Sequence, residues 1–366
     1  MPEVAQRYRL CPACLRRQDG RPEDFDTARD DECFVCRGLM NDVDRITAEV
    51  VEQARHYEFE TFAIGLSMPE GVQEREDEIR SSLKIKGKET IKLQLSAIIS
   101  RGAASALRKK VRKDRPDLTL VADLAKREVR AFSRPLFFYG RYTKPRGIAQ
   151  RRELCRECRG RGCEKCGGTG YTRSPSVEGL LRKRLSESGS SNMVFTWIGS
   201  EDRESEVSSP GRPFVVEVKN PVTRVLPKRF AVSSRSGRIS VTGGRILASK
   251  PVKLPTFRFR TRIFAKTSTV VGPERLKELR RRFEDATVQF NRPYDRATLK
   301  RVSGVRARAR GRALVIDAEL DGGLPVKRFV SGELVSPSVS EVLKTEVECR
   351  KFDIRRVMET SELKLA

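Results

Sequence analysis

The sequence predicts an α+β chain in which two small cysteine-ligated modules accompany helices packed on a mixed or antiparallel sheet. Three observations lead there. Eight of the nine cysteines fall in CxxC pairs. Strand-like runs such as MVFTWIG, FVVEV and RALVIDAEL recur without the regular spacing of βαβ units. A chain of 366 residues, 38% of them apolar, is long enough for two or three domains, each with its own core.

Residues 1–45 hold the first module, CPAC at Cys11 and Cys14 and CFVC at Cys33 and Cys36, with eighteen residues between the pairs. Each CxxC turn offers two thiolates to one ion, and two turns complete a closed S4 shell of structural type. Zinc is the expected metal, since S4 spacing without redox context favours it over iron. Disulfides belong to short secreted chains, which this is not.

Residues 46–150 read as an α+β region. FETFAIGL alternates like a strand. SMPEGVQEREDEIRSSL begins like a helix, with Ser67 as N-cap and a proline near its first turn. ETIKLQLSAIISRG sets Ile91, Leu95, Ile98 and Ile99 on one helical face. LTLVADL, EVRAF and RPLFFYGRY follow as three short apolar or alternating runs. Between helix and runs lie Arg108, Lys109, Lys110, Arg112 and Lys113, which read as phosphate contacts or as a solvated helix end.

Residues 151–173 carry the second module, Cys155, Cys158, Cys163 and Cys166, spaced two, four, two. Its glycines permit the positive φ that a tight zinc knuckle needs. The text also reads as two CxxCxGxG units, the repeat of DnaJ-type chaperones. Those proteins carry more repeats and an HPD motif, both missing from this sequence. A protein-binding module of that kind is therefore the weakest of three functional readings. Residues 174–366 alternate helices (SVEGLLRKRL, PERLKELRRRF) with strands. In RVSGVRARARGR, alternation sets Arg306, Arg308 and Arg310 on one strand face, a pattern suited to an RNA backbone.

The net charge of +26 calls for a polyanion, and nucleic acid is the usual one. No apolar run reaches membrane-spanning length and the N-terminus lacks a secretory core, so a cytoplasmic protein without a membrane partner is expected. Walker, GxGxxG, HExxH and GxSxG motifs are missing. With His56 the single histidine, acid–base chemistry falls to carboxylates, lysine, tyrosine or water.

Against this basic background GSEDRESEVSSPGRPFVVEVKNP concentrates five carboxylates, Glu201, Asp202, Glu204, Glu206 and Glu217. Together with the paired CxxC, LFFYGRY, RGIAQ, the four-cysteine knuckle and PSVSEVL, this segment resembles the archaeal and eukaryotic tRNA pseudouridine synthases that modify adjacent T-arm uridines. The resemblance covers nearly the whole chain. It implies an N-terminal zinc and THUMP-containing domain, a C-terminal pseudouridine synthase domain, no organic cofactor and one essential Asp. Arg141 of LFFYGRY and Arg212 of GRPF join the expected RNA contacts, with Arg212 alternatively orienting the loop.

The family segment E-D-x-D-x-R-M-L-G-x-G-R-P-F aligns without a gap on EDRESEVSSPGRPF, Glu201 to Phe214. That alignment sets the family Asp on Glu204 and the family Arg on Glu206. The family Tyr falls on Pro325, while Lys327 is kept, and RPYDR brings Asp295 where an Arg is expected. A Glu carboxylate would sit on the order of 1 Å from the required place, which can cost about 10²-fold. Glu206 would repel RNA, and Pro325 lacks a phenol and a stacking face. The expected function is a non-catalytic homologue that holds structured RNA, either tRNA or ribosomal RNA on the ribosome. The alternative is an active synthase using Glu204, or Asp202 on a shifted loop.

Overall fold

The computed structural model describes residues 8–84, 89–190, 192–291 and 297–365. The chain divides into two compact units. One is Met1–Pro135 with Lys219–Arg224, and the other is Leu136–Val218 with Val225–Ala366.

In the first unit Cys11 and Cys14 flank the start of helix α1 (Pro12–Arg17), which a proline opens. Arg17 at its end is buried. It donates to Glu76 at 2.5 Å and to Cys14 Sγ at 3.3 Å, and Glu76 accepts from the Ile91 N–H at 2.9 Å. The cysteine module is thereby fused to the helices that follow. Helix α2 (Val43–Arg55) buries Val43, Ile46, Val50 and Ala54, a three-and-four spacing that makes one apolar face. Strand β1 (Thr61–Ser67), helix α3 (Val72–Leu83) and helix α4 (Ile91–Leu107) come next. Strands β2 (Lys110–Val111), β3 (Leu118–Asp123) and β4 (Glu128–Ser133) complete a sheet of order β2-β1-β3-β4. β1 runs parallel to β2 and β3, and β4 antiparallel to β3. Ile91, Leu95 and Ile99 of α4 are fully buried and Ile98 partly so, close to the expected face.

One expectation is corrected. Ser67 is the last residue of β1 and caps nothing. The chain needs four more residues, and Gly71 at φ +79°, to turn from strand into α3. The basic run also changes element within itself. Arg108 closes α4 in a left-handed conformation, and Lys110 already belongs to the edge strand β2.

The second unit is built on an eleven-stranded sheet. It contains β5 (Leu136–Lys144), β6 (Met193–Trp197), β7 (Val207–Val218), β8 (Phe230–Ser234), β9 (Gly237–Leu247) and β11 (Phe257–Thr267). β12 (Asp285–Phe290), β13 (Thr298–Arg310), β14 (Ala313–Asp321), β15 (Val335–Ser336) and β16 (Val347–Glu359) supply the rest. β10 (Pro251–Lys253) pairs apart with β17 (Lys364–Leu365). The order is β15-β12-β13-β14-β11-β16-β7-β5-β9-β8, with β6 also on β7. The sheet is mixed, as expected. β16 meets β7 in parallel where Ile354 lies beside Val207, and the other pairings described in this sheet are antiparallel. Helices α5 (Val177–Leu185), α6 (Pro273–Arg282), α7 (Val326–Ser331) and α8 (Val339–Leu343) each bury apolar residues in this core. Among the described residues no helix is long and apolar enough to cross a membrane.

Candidate active site

Residues 199–206 form the loop that enters β7 at the junction of its two half-sheets, where Val207 pairs with both Lys144 of β5 and Ile354 of β16. Three buried charged side chains hold this loop, mostly through its backbone. Lys144, 2% exposed, donates to the carbonyls of Ile148 (2.7 Å), Asp202 (3.0 Å), Arg203 (3.3 Å) and Ser205. Arg212 donates to the carbonyls of Ile198 and Ser200 at 3.0 and 2.9 Å. Asp353 accepts from the Glu206 N–H at 3.1 Å, and the Ile354 N–H returns a bond to the Glu206 carbonyl at 2.8 Å.

Within the loop Glu201 points inward. It pairs with Arg212 at 2.7 Å and accepts from the Tyr142 hydroxyl at 2.5 Å and from Gln150 at 3.1 Å. Burial pushes the Tyr142 phenol well above its ordinary value, with Glu201 adding to the effect, so the hydroxyl stays protonated and able to donate. Burial also pulls the Lys144 ammonium down to about 8, against the opposing attraction of Glu201, Glu204 and Asp202.

Asp202 points the other way. It lines a cavity of about 240 Å³ whose walls include Arg212, Phe259, Phe352, Pro325 and Lys327. Its Oδ2 lies 2.8 Å from Lys327 Nζ, and that hydrogen bond raises the lysine above its ordinary value. A carboxylate, a partner cation and two aromatic walls thus meet in one concave space.

The sequence-predicted residues fall in different places. Lys327 and Pro325 reach the cavity, Pro325 as the residue that caps α7. Glu204 is exposed and does not line it. Glu206 lies between Arg146 (3.5 Å) and Arg355 (3.7 Å), both of which also pair with the fully buried Asp353, so its charge is met by cations. Arg212 is 2% exposed and serves the loop. Arg141 is engaged by Glu359 and by the carbonyls of Gly211 and Val357. Arg306, Arg308 and Arg310 stand exposed on β13, and Arg108, Lys110, Arg112 and Lys113 are exposed in the first unit. Lys109 pairs with Glu60 at 2.7 Å. Asp295 lies outside the described residues. Sequence reasoning missed Lys144, Arg146, Gln150 and Asp353 as site residues, and gave Tyr142 and Glu201 no role.

Both cysteine quartets suit a tetrahedral ion. Within each, the Sγ atoms lie within 4.8 Å of one another. The close pairs, Cys11–Cys36 at 3.7 Å, Cys155–Cys163 at 3.9 Å and Cys158–Cys166 at 3.8 Å, match the roughly 3.8 Å edge implied by zinc–sulfur bonds of about 2.3 Å. In the second quartet the N–H groups of Gly162, Cys163 and Gly170 point at sulfur at 3.2–3.3 Å, as thiolates require.

Comparison with known proteins agrees with this architecture. Residues 46–123 match the family model described as Pus10 THUMP domain, archaeal, and residues 137–358 match Pus10, C-terminal. The chain is 32% identical over 368 residues to the tRNA pseudouridine synthase Pus10 of Cenarchaeum symbiosum, covering 96% of this chain and 90% of the relative. It is 28% identical over 369 residues to the protein of that name from Nitrosopumilus maritimus, covering 97% and 96%. The protein of that name from Methanocaldococcus jannaschii is 30% identical over 362 residues, covering 94% and 79%. With its larger unit matched almost throughout by the C-terminal model and its smaller unit by the THUMP model, the chain belongs to the Pus10 family of tRNA pseudouridine synthases.

Proposed function

We propose that this chain is an active tRNA pseudouridine synthase whose reacting carboxylate is Asp202. One observation carries the reading: Asp202 is the loop carboxylate that faces the cavity with its negative charge held by Lys327 at 2.8 Å, whereas Glu204 is outside it. The substrate is a T-arm uridine of tRNA, flipped from its stack so that the base enters between apolar walls. Asp202 either bonds to C1′ as N1 leaves and is displaced when C5 bonds there, or takes a sugar proton and returns it after the base has turned. The bond from C1′ to N1 breaks, the base turns, a bond from C1′ to C5 forms, and the C5 proton leaves while N1 gains one. Atoms balance without a cofactor. Lys327 pairs with Asp202 and holds its side chain at the cavity wall, and Phe259 and Phe352 exclude water from the base.

The opposite reading, an RNA holder without chemistry, rests on Glu204, Glu206 and Pro325. Each has another physical account. Glu204 is off the cavity, Glu206 is neutralised by Arg146 and Arg355, and the cavity has aromatic walls despite Pro325. The exposed arginines of β13 and the basic run Arg108–Lys113 would grip the RNA backbone, and zinc in both quartets would be structural.

The test is pseudouridine formation on an unmodified tRNA transcript, with RNA binding read in parallel. Wild type should form product, Asp202→Asn should lose at least about 10³-fold in rate, and Glu204→Gln should stay within about tenfold. Activity that dies with Glu204→Gln and survives Asp202→Asn would move the chemistry to Glu204. Tight binding without product in the wild type would restore the non-catalytic reading.

A further inference from the structure

The cysteine knuckle between β5 and α5 takes no part in the chemistry, yet its surface has a definite character. A Cβ on Gly162 would press on the Gly168 carbonyl, and one on Gly170 on the Gly160 carbonyl. The two CxxCxGxG halves therefore meet backbone to backbone, and the residues between the cysteines and glycines turn outward. Three of those are Arg156, Arg159 and Arg161. All are exposed, and among the described residues none pairs with a carboxylate. Lys165, by contrast, is matched by Glu157 at 2.5 Å. Residues 151–173 contain seven basic side chains against three acidic ones. Backbone N–H groups already stabilise the thiolates, so none of the three guanidinium groups is needed at sulfur, although Arg161 Nε donates to the Cys158 carbonyl at 3.4 Å.

The knuckle is also bound to the site loop. Arg152 stacks over the Tyr171 ring at 3.8 Å and pairs with Glu178 of α5 at 3.4 Å. Glu153 pairs at 2.7 Å with Arg203, the residue that follows Asp202. A rigid platform with three unmatched guanidinium groups is thus tied to the loop that presents the carboxylate. Guanidinium forks suit phosphate oxygens, and unpaired cations on a fixed support lose little entropy on binding them.

We propose that the knuckle is an RNA-backbone clamp beside the active site, in which Arg156, Arg159 and Arg161 bind phosphates flanking the target nucleotide. The proposal rests on the RNA-modifying reading above, but its test reads binding and stands apart from catalysis. The full chain carrying Arg156→Gln, Arg159→Gln and Arg161→Gln is titrated with the tRNA transcript across a salt series, and its metal content is measured by chelator release. A second variant has Lys at the same three positions.

The Gln variant should keep its metal and bind at least tenfold more weakly. The slope of log K against log salt should be shallower by about 2, near the contribution of three phosphate contacts. The Lys variant should recover most of that slope. An unchanged slope and affinity with metal retained would overturn the proposal, as would a loss of binding that follows metal loss and that Lys does not rescue. A wild type that binds with the expected slope but forms no pseudouridine would sink the catalytic reading and leave the clamp standing.

Discussion

Arg212 and Glu201 form an ion pair of 2.7 Å with side chains 2% and 0% exposed, reinforced by Tyr142 and Gln150. This pair fixes the loop from inside while Asp202, the next residue, faces the cavity. Replacing one partner leaves the other charge buried and unmatched, at about 3–5 kcal/mol. Glu201→Gln keeps the shape and removes the charge. Its melting temperature should fall by roughly 10 °C, with activity falling alongside. Thermal unfolding followed by circular dichroism checks this, and an unchanged melting point would mean that the pair does not hold the fold.

A second prediction concerns pH. The Lys144 ammonium is pulled down to about 8 by burial, from an ordinary 10.5. Its charged form brings three N–H donors to four carbonyls, and its neutral form brings two. Activity should therefore fall as pH rises through about 8. Stability follows the opposite sign. The folded state releases this proton before the unfolded chain does, so the contribution of Lys144 grows between about 8 and 10.5 and is lost as pH falls through about 8. Rate–pH and denaturation–pH profiles should diverge in that window. In Lys144→Met the step in rate near pH 8 should vanish.

The third prediction tests the charge at position 206. Glu206→Arg, which sets there the arginine that the resemblance implies, would place a third guanidinium beside Arg146 and Arg355, with Asp353 the carboxylate shared among them. Glu206, Arg146 and Arg355 are each partly exposed, so the loss should be modest, about 1 kcal/mol. We expect a melting point lower by a few degrees and no gain in rate. A more active and more stable variant would show that Glu206 is a defect.

The cysteine modules were legible from the sequence because a CxxC turn is local chemistry. The segments LFFYGRY, RGIAQ and GRPF were legible as a resemblance, but not as a mechanism. Folding explains them: Tyr142, Gln150 and Arg212 come from the three segments and converge on Glu201. Lys144 and Asp353 escaped notice for a different reason. One lysine among 75 basic residues carries no mark of burial, and Asp353 sits in the apparently irregular text of β16. Ser67 failed as a cap because only the backbone turn through Gly71 reveals where α3 begins.

Lys144, Arg212 and Asp353 mainly grip carbonyl and amide groups of the 199–206 loop. Peptide groups are the same whatever side chain they carry. A change of side chain at position 204, which is exposed, therefore leaves the grip on Asp202 in place, much as a word can be respelled around one silent letter that keeps its place. In such a loop the backbone, rather than the identity of each side chain, carries the position of Asp202.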